Sequence, residues 1–424
     1  MKQLLFFALV LFSSLYHKCY SQSLPSQPLS GPGGSNYTHG GVTQFRYADN
    51  GNGEDFWLYE PNSPTPDSAN VVVFIHGLGM VNPKYYGAFI THLVRKGNIV
   101  IAPRYQKDLN LATGISEYND SCAKGIQKAL DTIQQPGHVK GRVQNYFILG
   151  HSVGGVLTAN MTMLYAQYGL PKPKASFSMQ PGASNYLMSD YSSFPADVKY
   201  LILIGENDAI VGTGPGTTIF NQTVNVPTLH KNLIHHFADN HGNPGIGATH
   251  DEPGAGNNDF DNGESNLFIT FAPATTPDAF DYYCTWKLQD ALMDCALYNQ
   301  NCEYAFGDTP EQHGMGNWSD GTPVRILEVT PSAATSLSEP KDEIAISVFP
   351  NPTRQNYQVR IMNHNWKKPV QLLVYDLTGK LMDNQILTTQ SLKLETSNWN
   401  AGVYFYQLKD SASQILKCGK LVVE

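Results

Sequence analysis

Short, uninterrupted apolar runs recur along the first three quarters of the chain. VVVFIHG (71–77), NIVIAPRY (98–105), NYFILG (145–150), KASFSMQ (174–180), VKYLILIG (198–205) and KNLIHHF (231–237) each have the length of a strand. Their apolar residues are largely consecutive rather than alternate, so both faces of such strands must be covered. The segments between them carry a helical period. YNDSCAKGIQKALDTIQQ (118–135) places Cys122, Ile126, Leu130 and Ile133 on one face, with Asn119 or Asp120 available as N-cap. Further helices are expected from about Gly154 to Tyr168 and over about 278–298. This β–α alternation predicts an α/β class: a mostly parallel sheet with helices on both faces.

At 424 residues the chain exceeds one ordinary domain, and its 41% hydrophobic and 15% charged composition excludes global disorder. The pattern changes at Pro331. PSAATSLSEPKDE reads as a polar linker over 331–343. Beyond it YQVRI (357–361), VQLLVYDLTGKLM (370–382) and GVYFYQL (402–408) are short strand-like segments, with Thr378-Gly379 marking a hairpin turn. A small all-β sandwich over 344–424 is expected. The net charge of −8 disfavours nucleic acid as the main partner. It is unevenly spread: residues 344–424 hold nine Lys+Arg against five Asp+Glu, so the remainder carries −12.

MKQLLFFALVLFSSLYHKCYSQS reads as a secretory signal peptide, with cleavage after Ser21. Its apolar run is too short to span a bilayer, and no transmembrane segment is expected in the mature protein. Export permits disulfides. Cys19 leaves with the leader, and Cys295 with Cys302, across CALYNQNC, is the preferred bridge. Cys122 with Cys284 is the second expected pair, which leaves Cys418 over. No cysteine pair has the short spacing of a zinc knuckle, and neither a metal nor a cofactor is expected.

Gly150-His151-Ser152-Val153-Gly154 follows one strand and opens a helix. Glycines on both flanks let that turn tighten until Ser152 projects its hydroxyl, the geometry of a nucleophile elbow. The helix N-terminus favours an oxyanion, and the Val153 N–H is free to donate to it. FIHGLGM (74–80), after an earlier strand, supplies a second donor in the N–H of Leu78. Asp208, in GEND after YLILIG, is favoured over Glu206 as the orienting acid. Two histidines compete as base: His241, four residues beyond Phe237, and His250, in GATHDEP. Ser, Asp, His order holds for both, and the shorter path from the strand favours His241. THDEPGAGNNDFDNGESN (249–266) is rich in carboxylates without a calcium-loop spacing, so a solvated loop is expected.

Residues from about 40 to 330 resemble an α/β-hydrolase-fold serine esterase of the lipase, cutinase and dienelactone-hydrolase branch. HGLG, GHSVGG, GEND and a following histidine carry the resemblance. GATHDEP is similar to the Gly-x-x-His segment of cutinase-like enzymes, which keeps His250 in contention. The segment after Ile344 resembles the C-terminal sorting domain of the type IX secretion system of Bacteroidetes-type bacteria, through VFPNPT (348–353), VYDLTGK (374–380), AGVYFYQL (401–408) and GKLVV (419–423). The resemblance implies passage through the periplasm and, via the type IX machinery, secretion or display at the cell surface.

The expected organisation is a leader (1–21), a catalytic α/β-hydrolase domain (22–330), the linker and the sorting domain. The expected activity is hydrolysis of carboxylic esters through an acyl-enzyme. Only Gly182–Val198 separates two of the late strands, too little for a large helical lid, which suits bulky or polymeric esters. A covering loop at Gly242–Pro277 would favour small ones. A peptidase or thioesterase with the same triad, or a binding protein on an inactive scaffold, are the alternatives.

Overall fold

The computed structural model describes residues 22–47, 54–107, 113–265, 276–331, 345–362, 369–410 and 415–424. The leader expected over 1–21, and all but Pro331 of the expected linker, lie outside the described residues. The chain divides into two compact units, Met1–Ala334 and Thr335–Glu424.

The first unit is built on β1 (Gly41–Tyr47), β2 (Phe56–Asn62), β3 (Ser68–Ile75), β4 (Asn98–Pro103), β5 (Lys140–His151), β6 (Ala175–Met179), β7 (Lys199–Gly205), β8 (Lys231–His236) and β9 (Glu328–Pro331). They form one sheet in the order β1-β2-β4-β3-β5-β6-β7-β8-β9. The strands from β4 to β8 in that order run parallel. The edge strands β1, β2 and β9 are antiparallel to their neighbours. Among the described residues the α-helices are α1 (Gly87–Arg95), α2 (Ile115–Thr132), α3 (Val153–Met163), α4 (Gly214–Gln222) and α5 (Trp286–Tyr298), with two of a single turn after α5.

The consecutive apolar runs are explained by burial on both sides. Val72 and Phe74 of β3 point into a core with Phe89 and Leu93 of α1 and Leu288 and Leu292 of α5. Val71, Val73 and Ile75 point the other way, against Cys122 and Ile126 of α2 and Val156 and Leu157 of α3. With side chains alternating along a strand, a single polar residue in such a run would open one of these cores. The expected α/β-hydrolase architecture is therefore present.

Two details differ from the sequence reading. Helix α2 begins a turn earlier than expected, with Gly114 as N-cap. Asn119 and Asp120 do not cap it: the Asn119 Oδ1 accepts from Asn160 Nδ2 of α3 at 3.1 Å, and the Asp120 Oδ1 from Tyr168 Oη at 2.8 Å. Asn119 ties α2 to α3 instead, and Asp120 ties it to the turn that follows α3. The second difference is the disulfide expected between Cys122 and Cys284. Cys295 and Cys302 are bridged, but Cys122 and Cys284 are buried thiols in cores on opposite sides of the sheet. The sheet itself separates them.

The second unit holds β10 (Ala345–Phe349), β11 (Asn356–Met362), β12 (Val370–Tyr375), β13 (Leu381–Leu387), β14 (Ser391–Glu395), β15 (Gly402–Lys409) and β16 (Ile415–Val423). They make antiparallel sheets of order β10-β11-β14 and β13-β12-β15-β16 around Tyr357, Val359, Leu372, Val374, Tyr404 and Leu408. In the β12–β13 turn, Gly379 takes a left-handed φ of 82°, and the Asp376 Oδ1 accepts from the backbone of Thr378 and Lys380. The sequence TG is needed there because a side chain at Gly379 would be strained.

Candidate active site

Strand β5 ends at His151 and α3 begins at Val153, so Ser152 alone must reverse the chain. It does so at φ 57°, ψ −126°, in a region that non-glycine residues rarely adopt. The backbone around it makes this possible. A Cβ on Gly154 would lie 2.2 Å from Ile75 O, and one on Gly150 would lie 2.4 Å from Gly154 O. Both glycines let α3 press directly against the ends of β3 and β5. The turn is held by the Ser152 N–H donating to Met179 O at 3.0 Å and by Gly182 N–H donating to Ser152 O at 3.1 Å.

Ser152 Oγ lies 2.9 Å from Nε2 of His250, whose Nδ1 lies 2.8 Å from Oδ2 of Asp208. All three are buried, with residual exposures of 9%, 6% and 7%. The second Asp208 oxygen accepts from the N–H groups of Ile210 and Val211, at 3.0 Å each. Burial works to raise the Asp208 carboxyl, but His250 and these amides outweigh it and hold it below its ordinary value. It is therefore the ionised partner, and it fixes the proton of His250 on Nδ1, leaving Nε2 to accept from Ser152.

His241, the histidine favoured from the sequence, is not brought to this cluster. Its N–H donates to Asp239 Oδ1 at 2.9 Å, and its Nε2 pairs with Asp320 at 2.9 Å beside Trp318, in partial contact with solvent. The chain passes it and turns back. Asp239 and Ile246 exchange both backbone hydrogen bonds, at 3.0 and 2.8 Å. Ala248 O then accepts from Asn207 N–H, and Thr249 O from Gln180 Nε2. Ile246 and Ala248 are fully buried. Two apolar residues in GNPGIGAT thus draw the loop over the sheet edge and deliver His250. Glu206, the lesser acid candidate, faces outward to Arg325 at 3.2 Å. His235 and His236 lie in β8, as the sequence implied.

The loop after β3 is pinned residue by residue. His76 donates from Nδ1 to Gly77 O at 2.7 Å and stacks on Tyr105. Gly77 N–H donates to Tyr86 Oη at 3.0 Å, Gly79 N–H to Gln106 Oε1, and Met80 N–H to Gly77 O. Among the described residues, these bonds pass over the Leu78 N–H. Leu78 and Val153 both line a pocket of about 190 Å³ that opens beside Ser152 and His250. Its other walls are mainly apolar: Met80, Ala183, Ile210 and Val211. Asp251 stands at its edge, with a carboxyl that burial raises above its usual range.

Two residues here were not singled out from the sequence. His151 occupies the variable position of the serine motif and is buried, with Nδ1 2.9 Å from Tyr86 Oη and Nε2 2.8 Å from the carbonyl of His250. Tyr86 closes a single 3₁₀ turn, Pro83–Tyr86, that no sequence signal marks as functional. The acidic loop after His250 is not freely solvated. Asp261 pairs with Lys84, and Glu264 with Arg46 and Arg104. Among the described residues no cluster of His, Cys, Asp and Glu has a metal-holding arrangement, and no helix is long and apolar enough to cross a membrane.

No curated protein sequence matches the chain significantly. Family models do match two stretches. One, described as Chlorophyllase, an α/β-hydrolase-like esterase family, covers residues 60–183, from β2 through the Leu78 loop and the Ser152 turn. The other, described as a secretion system C-terminal sorting domain, covers residues 347–424. The first unit thus contains a Chlorophyllase-family domain, that of an esterase-type hydrolase, and the chain ends in a sorting domain that directs it by the type IX route to the cell surface or beyond.

Proposed function

We propose that the protein is a secreted serine hydrolase of carboxylic esters that works through Ser152, His250 and Asp208. The continuous hydrogen-bond chain from Asp208 through His250 to Ser152, at 2.8 and 2.9 Å, carries this reading. His250 Nε2 takes the proton of Ser152 as Oγ attacks the carbonyl carbon, and Asp208 stabilises the imidazolium that results. The tetrahedral oxyanion is received by the N–H groups of Leu78 and Val153, the second at the N-terminus of α3. His250 returns the proton to the leaving alcohol, and water repeats the sequence on the acyl-enzyme.

The proposed catalytic domain spans 22–330 and the sorting domain 344–424. The apolar walls of the pocket accept the acyl part of the substrate, while the alcohol, small or polymeric, extends outward. The test is Ser152→Ala assayed on a p-nitrophenyl ester chain-length series and a polyester film, with labelling by a fluorophosphonate. A folded variant is expected to lose at least about 10³-fold in kcat and all labelling. Retention of more than a tenth of the activity refutes the assignment. Parallel anilide and thioester substrates separate an esterase from a peptidase or thioesterase.

A further inference from the structure

We infer that Tyr86 and His151 are positioning residues that lock the Leu78 loop and the His250 loop to the nucleophile turn; the inference rests on the hydrolase reading above. The argument is one of proton bookkeeping. The backbone N–H of Gly77 can only donate, so Tyr86 Oη accepts from it at 3.0 Å. The carbonyl of His250 can only accept, so His151 donates to it from Nε2 at 2.8 Å. His151 is neutral, because burial first, and then the neighbouring His250, push it well below its ordinary value. Its Nδ1 is then an acceptor, and the remaining Tyr86 proton is committed to it at 2.9 Å.

The result is a single directed chain: Gly77 N–H to Tyr86 Oη, Tyr86 O–H to His151 Nδ1, His151 Nε2–H to His250 O. Every donor and acceptor in it is used once, and both side chains are almost completely buried. Its ends lie on loops that are far apart in sequence. One end adjoins the N–H of Leu78, and the other is the backbone of the base. Its middle member is the residue before Ser152, and the His151 and His250 rings lie 4.7 Å apart. A shift of either loop breaks a bond that has no replacement in a dry interior, so the relay registers three parts of the site at once.

The test splits the relay with isosteric amides. In His151→Asn the amide oxygen stands in for Nδ1 and keeps the Tyr86 bond, but nothing reaches His250 O. In His151→Gln the amide nitrogen stands in for Nε2 and keeps the bond to His250. These two, with Tyr86→Phe and Ser152→Ala, are assayed for kcat and KM on p-nitrophenyl butyrate, with melting temperatures measured alongside. Tyr86→Phe and His151→Asn are each expected to lose about 10- to 100-fold in kcat with KM within about twofold. Their double variant should lose no more than the worse single one, because one chain is cut twice. His151→Gln, which leaves the Tyr86 O–H without its acceptor, cuts the chain at the same link as Tyr86→Phe and should lose about as much kcat, roughly 10- to 100-fold. Ser152→Ala separates the two levels of the argument. If it stays active, the hydrolase reading falls; if it is dead while folded Tyr86→Phe and His151→Asn keep kcat within about twofold, the relay is refuted. Should one of those two fail to fold, the other and His151→Gln, which is expected to show the same loss, decide. A folded His151→Gln variant with kcat within about twofold of wild type, or a loss confined to KM, also overturns it.

Discussion

Replacing Gly154 by alanine pits two effects of opposite sign against each other. Gly154 lies in the first turn of α3, and in an open helix the substitution stabilises by about 0.5–1 kcal/mol. Here the new methyl would stand 2.2 Å from Ile75 O and 2.4 Å from His76 O, both backbone atoms of the strand end. Reaching even a 3.0 Å contact requires the start of α3 to retreat by about 0.8 Å. That overpacking costs about 1–3 kcal/mol, which exceeds the propensity gain, so net destabilisation is expected. The same retreat carries Ser152 and the Val153 N–H away from His250, now 2.9 Å from Oγ. Misplacement on that scale lowers kcat by up to about 10²-fold. Gly214→Ala, at the start of α4 with nothing within 4 Å of the added atom, is the control and should be neutral or slightly stabilising. Both are measured by thermal denaturation and by kcat/KM on p-nitrophenyl butyrate. If Gly154→Ala melts as high as Gly214→Ala and stays fully active, the contact between α3 and β3 is not what shapes the turn.

His250→Ala should lose about as much kcat as Ser152→Ala, roughly 10³-fold or more, while His241→Ala stays close to wild type; the reverse result in folded variants assigns the base to the other histidine. Glu252 gives a pH-dependent expectation: burial first, then the carboxylate of Asp278, pushes it from 4.5 up to about 7. Its protonation therefore favours the fold fully below about pH 4.5, and that contribution, up to about 3 kcal/mol, is lost as pH rises through 7. Glu252→Gln should accordingly raise the melting temperature at pH 8 and leave it little changed at pH 4.5; an equal effect at both pH values would show that ionisation of Glu252 is not the cause.

The central strands were legible because each core faces one side of them. Val71 to Ile75 must be apolar at every position when α1 and α5 cover one side and α2 and α3 the other. The edge strands were less so. Strand β1 is half-exposed along its length, and β9 spans only Glu328–Pro331 within a polar stretch, so neither carries a dense apolar run. The extra pairing of Cys122 with Cys284 failed for a related reason. Both cysteines sit on buried faces, but sequence periodicity does not say which side of the sheet a face meets.

The site divides along the same line between local and returning chain. Ser152 and Asp208 were readable because each follows the end of a parallel strand within three residues, where the direction of the strand carries them to one edge of the sheet. His250, the proposed base, is fourteen residues past β8, and the path between is set by contacts that distance along the chain does not encode. Favouring His241 rests on the premise that the shortest path wins. Loop closure costs little for each added residue, so a longer loop is open to any pair of contacts that rewards it. Burial of Ile246 and Ala248 and the paired backbone bonds of Asp239 and Ile246 are such a reward. The informative signal was therefore not distance from the strand but the two apolar residues placed alternately in an otherwise glycine-rich and polar loop. A solvated loop has no use for them, whereas a loop returning over the sheet edge does, and the histidine two residues beyond the second one is the group it returns with.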